Sequence, residues 1–108
     1  MRYLFLVCVD PSIEPDEAPG EIDAWLDRVG DARTTGGPLR GPSSGATVRV
    51  RRSERLVSDG PFAETKEVIV GFDIIECANR DEAIELAGAH PVAKFGAIEV
   101  RELRPDDD

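Results

Sequence analysis

The sequence predicts an α+β fold of the ferredoxin-like, split βαβ kind: an antiparallel sheet with two helices on one face and a small inserted hairpin. Three observations predict it. Apolar, strand-like runs open the chain and return at 68–77 and 97–103. Two segments with helical spacing, 18–30 and 79–90, alternate with them. The resulting order is strand, helix, strand, hairpin, strand, helix, strand, which is the split βαβ arrangement with one additional hairpin.

Each element has its own signature. Residues 3–9 are apolar at every position, so the first strand carries no polar face and is expected to be covered on both sides. Residues 10–15 read as loop. Ile22, Trp25, Leu26 and Val29 then recur at i, i+3, i+4 and i+7, with Pro19 in a tolerated first-turn position and Gly30 as a C-terminal cap. A turn-rich stretch follows, with a short irregular strand over 32–39. Residues 47–51 alternate cleanly, and after Arg52-Ser53-Glu54 the run 55–57 returns as a hairpin partner. The longest strand spans 68–77. Asn79 and Glu82 have the spacing of a capping box, Ala83, Ile84 and Ala87 form an apolar stripe, and Pro91 ends that helix near His90. In the last strand Ile98 and Val100 face inward while Glu99 and Arg101 face outward.

The two long strands pose one problem. Both are apolar on both faces, and two helices on one side leave the other uncovered. A second copy of the sheet is the economical cover, because two-fold dimers are the commonest closed assembly. A homodimer is therefore expected.

Composition bounds the function. The chain of 108 residues is 41% hydrophobic and 32% charged, an ordinary globular balance for one domain, assigned to 1–104 with an acidic tail at 105–108. The net charge of −9 argues against nucleic acid, whose binders concentrate Lys and Arg on phosphates. The one basic run, Arg49, Arg51, Arg52 and Arg55, reads as a solvated strand edge. No apolar run approaches a membrane span of about 20 residues, and the short apolar start lacks a cleavage site, so membrane and export are not expected. Cys8 and Cys77 lie in separate apolar runs, consistent with free thiols and a cytoplasmic location. One histidine and two separated cysteines cannot close a zinc site, and neither a phosphate-binding loop nor a nucleophile elbow is present. No metal or cofactor is expected.

Residues 59–67, DGPFAETKE, form the most specific stretch. Asp59-Gly60-Pro61 has turn chemistry, Phe62 reads as a ring that pins the corner, and Glu64, Lys66 and Glu67 are charges that a loop could present to a pocket. This stretch, the opening Met1-Arg2-Tyr3-Leu4, Gly71-Phe72, His90-Pro91 and Ile98-Glu99-Val100-Arg101 together resemble the YCII-related family, and its DGPF-containing branch in particular. The resemblance implies a dimeric α/β barrel in which two sheets pack face to face around a pocket. It also implies a His–Asp pair as the proposed catalytic group of the wider family. Some members of the branch lie beside or are fused to sigma factors of the extracytoplasmic-function class, which makes a sigma factor a candidate partner.

Two functions follow. One is a cofactor-independent enzyme carrying out proton transfer or elimination on a small molecule. His90, whose ordinary pKa lies near neutrality, would be its acid or base, oriented by Asp59 or Asp73. Glu64, Lys66 and Asp73 would be its binding residues. Asp73 stands out because a carboxylate among Ile69, Gly71 and Ile75 needs a partner, such as an arginine across the sheet, or a pocket. The alternative is a non-catalytic module that binds a small molecule or regulates another protein. A base converging with a carboxylate on one cavity would favour the enzyme.

Overall fold

Four strands pair in the order β2 (Arg33–Pro38), β5 (Val68–Glu76), β1 (Arg2–Val9), β6 (Ala97–Glu102), each antiparallel to its neighbour. The computed structural model describes residues 1–60 and 66–106. The helices α1 (Glu21–Val29) and α2 (Arg80–Gly88) complete a ferredoxin-like unit, and β3 (Ala46–Arg51) with β4 (Glu54–Asp59) makes a separate two-stranded hairpin.

Register decides which side of the sheet each residue serves. Tyr3 lies opposite Ile75, Phe5 opposite Asp73 and Val7 opposite Gly71, and all six are buried. Trp25 and Val29 from α1 and Ala83 and Ala87 from α2 close on this side, with Ile98 and Val100 of β6 at its margin. The contact residues of each helix are four apart and so share one face. Because those of α2 are alanines, its backbone can approach the sheet closely.

The helical stripes are narrower than their spacing predicts. Ile22 in the first turn of α1 is 37% exposed and Ile84 of α2 is 44% exposed. Ile84 is turned about 100° from Ala83 and so sits beside the contact pair of α2, whereas Ile22 is in line with Val29 but lies in the first turn, at the open end of α1. Gly30 caps α1 as expected, whereas α2 ends at Gly88, short of His90. Asn79 caps α2 as predicted: the Glu82 backbone N–H donates to its Oδ1 at 2.9 Å. The return bond differs, since Glu82 Oε2 accepts from the N–H of Ala78 at 3.3 Å.

Neither helix covers the far side of the sheet. Leu4 opposite Ile74 and Leu6 opposite Phe72 are only half-buried, and the Cα positions span 18 Å in the thinnest direction, the depth of one helix layer on one sheet. Glu99 and Arg101 border this face, paired at 3.2 Å. Both thiols are free; Cys8 is buried and Cys77 half-exposed. No described helix is long and apolar enough to cross a membrane.

Candidate functional site

The carboxylate singled out on the long strand has its partner. Arg33, the first residue of β2, donates from Nε to Asp73 Oδ1 at 2.7 Å. The aspartate side chain is 8% exposed and the arginine 26%, so the pair sits at the margin of the core. Gly36, opposite Asp73 on β2, makes the room. A Cβ at Gly36 would come within 2.5 Å of Asp73 Oδ1 and 2.8 Å of Arg33 Nη2.

His90 is buried in the same neighbourhood, 4% exposed. It precedes the short 3₁₀ turn Pro91–Lys94, and its Nδ1 accepts the Val92 backbone N–H at 3.0 Å. The ring thus caps the start of this turn. Its other contact is an edge-on packing against Trp25, ring centroids 4.6 Å apart. Trp25 in turn donates from Nε1 to the Leu86 carbonyl at 2.9 Å, tying α1 to α2. Burial lowers the His90 pKa, and the nearby Asp73 carboxylate partly offsets this. An imidazole that accepts at Nδ1 carries its proton on Nε2 when neutral. It is a donor at that nitrogen, and it can take up a second proton only by giving up the Val92 bond.

Asp59 lies elsewhere, exposed at the end of β4 opposite Ala46. Of the two candidate aspartates, Asp73 is therefore the one within electrostatic reach of His90. Glu64 and Phe62 lie outside the described residues. Lys66 reaches back to the end of β1, its Nζ 3.5 Å from Asp10 Oδ2. Asp10 is a residue that sequence reasoning left in a loop, yet it is buried, and its Oδ1 accepts from the backbone N–H of Ser12 at 2.9 Å and from its hydroxyl at 2.7 Å. Those bonds, with Lys66 assisting, hold the Asp10 carboxyl below its ordinary pKa against the opposing effect of burial. Beside it, burial together with Glu67 and Glu99 raises the pKa of the Cys8 thiol, which keeps it protonated and unreactive.

Two polar groups thus stand at the sheet: Arg33–Asp73 with His90 on the helix side, and Asp10–Lys66 where β1 ends. Among the surface hollows are one of about 290 Å³ beside Met1 and Glu102 and one of about 550 Å³ beside Asn79 and Glu85. Neither is lined by His90, Asp73, Asp59 or Lys66. Among the described residues, no three metal-ligating side chains cluster.

The architecture defines a ferredoxin-like α+β domain with one open apolar sheet face. The YCII-related domain matches residues 1–106, and the chain belongs to that family. It is 46% identical over 65 residues to uncharacterized protein R00369 of Rhizobium meliloti (strain 1021), across 56% of this chain and 51% of that protein. The chain thus spans about half the length of this curated relative. Among solved structures it is similar to 5-chloro-2-hydroxyhydroquinone dehydrochlorinase (TftG) from Burkholderia phenoliruptrix AC1100, in complex with 2,5-dihydroxybenzoquinone. That likeness has a TM-score of 0.51 and 17% identity, and it covers 99% of this chain and 97% of the other. At that identity it establishes the fold.

Proposed function

We propose that this chain is a small-molecule-binding domain whose ligand lies on the open sheet face, enclosed by a second copy. The observation that carries this is the apolar floor of Leu4, Leu6, Phe72 and Ile74, left uncovered on the side opposite both helices. A concave apolar surface with a few polar groups at its margin is the usual chemistry of a ligand site. Here the margin offers Glu99 and Arg101. A small, flat, apolar molecule bearing hydroxyl or similar groups fits that combination. The free thiols are consistent with a cytoplasmic location.

The enzymatic reading, proton transfer or elimination by a His–Asp pair, draws support from one observation: Asp73 lies in the electrostatic field of His90. Against it, His90 faces the core and already uses its acceptor nitrogen on Val92. Binding without catalysis by His90 is the better-supported reading.

The test is a screen of small hydroxylated aromatics by amide chemical shifts on the whole chain. A binder should perturb Leu4, Leu6, Phe72 and Ile74 and leave Trp25 and His90 unmoved. Perturbation confined to Trp25, His90 and Asp73 would transfer the site to the core pair and restore the enzyme.

A further inference from the structure

The β3–β4 hairpin has no third strand among the described residues, and its two strands pack chiefly on each other. A solitary two-stranded hairpin is marginal in water. Its register sharpens the problem. Val48 lies opposite Val57 and Val50 opposite Arg55, so all four share one face. The three valines are 58%, 59% and 61% exposed. On the other face Thr47 and Arg49 are half-buried. The hairpin therefore turns its more polar side inward and its valines outward, the reverse of what a solvated arm requires. The radius of gyration of 15.9 Å exceeds the roughly 13 Å of a compact chain this long, in keeping with an arm that stands off the body.

Charge says what the arm meets. Arg49, Arg51, Arg52 and Arg55 against Glu54 and Asp59 leave the hairpin at +2 in a chain of −9, so everything outside it sums to −11. A basic, valine-faced arm and an acidic body with an uncovered apolar sheet are complementary surfaces carried by the same chain. We propose that the hairpin is a docking arm for a second copy of this chain, its valine face laid on the partner's body beside the open sheet face. This rests on the two-copy reading above. Three valines alone fall far short of the roughly 800 Å² per partner that a stable complex buries. Arm and sheet face together, each used twice in a two-fold pair, make up the difference.

Sedimentation equilibrium of the whole chain tests the arm, using wild type, Val48→Asp with Val57→Asp, and Phe72→Glu, each in low and in molar salt. Wild type should sediment as two chains. The arm variant should keep the wild-type far-ultraviolet spectrum and associate at least about tenfold more weakly. Molar salt screens both the attraction of the basic arm to the acidic body and the repulsion between two chains of −9, so each variant is compared with wild type at the same salt. Unchanged association of the arm variant, with loss in Phe72→Glu, overturns the arm and leaves the sheet-face reading standing. Loss in the arm variant with Phe72→Glu unchanged does the reverse. A single-chain wild type overturns both. If the double aspartate variant loses its native spectrum, Val48→Ser with Val57→Ser carries the same comparison.

Discussion

His90 is neutral because the fold surrounds it with Trp25 and backbone rather than water, and that neutrality has a pH signature. The unfolded chain takes up a proton near the ordinary histidine value of 6.5, whereas burial delays uptake in the fold. As pH falls below that value the unfolded state binds more protons, so stability present above it is progressively lost. Denaturation midpoints should decline between about pH 7.5 and 5, and His90→Gln should flatten that decline. Asp10 adds a separate loss further down: its carboxyl is held below the ordinary 3.8, so its contribution is present above that value and disappears in stronger acid. The Arg33–Asp73 pair makes a different prediction. Arg33→Met strands a buried carboxylate and should cost about 3 kcal/mol, at the low end for such a pair because the arginine is partly exposed. Adding Asp73→Leu should recover most of that loss, and a double-mutant cycle on denaturation midpoints measures the coupling. Among the described residues no atom lies within 4 Å of a Cβ built at Gly60, and the φ of 95° alone should make Gly60→Ala cost roughly 1–2 kcal/mol.

At the scale of elements, legibility in the sequence followed periodicity. β1 and β5 announced themselves as apolar on both faces, and the Asn79 cap was readable because it is local. Asn79→Ala should therefore cost about 1 kcal/mol, read as a lowered midpoint with the fold intact. Asp73 stood out for the same reason, as a charge in an apolar run. Its partner did not: Arg33 opens a strand of Thr, Gly and Pro that has no alternation to read. Nor was the Asp10–Lys66 contact visible, since it joins the end of β1 to the approach to β5 and exists only once the sheet has formed. The reversed faces of the hairpin were likewise hidden. Alternation gives which residues share a side, and only tertiary placement tells which side meets water.

At the scale of the whole molecule, the open face and the arm predict one thermodynamic behaviour. A protein whose folded form is stabilised by a second copy unfolds at a temperature that rises with its concentration. Across a hundredfold dilution series the thermal midpoint should fall measurably for wild type and much less for Phe72→Glu. A midpoint independent of concentration would mean that the apolar face is left bare in solution. The excess negative charge of the body adds that salt should alter association more than it alters the folding of a single chain.

The turn that closes the hairpin has a consequence of its own. Arg52 and Ser53 both hold positive φ, 52° and 65°, in a two-residue connection where Asn and Gly are the comfortable choices. Each pays on the order of 1 kcal/mol for a left-handed backbone, a cost that weakens the closed hairpin relative to one closed by Asn and Gly. A segment that is formed only part of the time binds with an apparent affinity scaled down by that fraction. The turn is thus a dial on pairing that touches no partner atom. Arg52→Asn with Ser53→Gly should tighten association in molar salt, where the lost arginine charge matters least, and lengthen the lifetime of the paired state. Hydrogen exchange at the amides of Arg49 and Leu56, a hydrogen-bonded pair of the ladder, would report the same setting from within one chain.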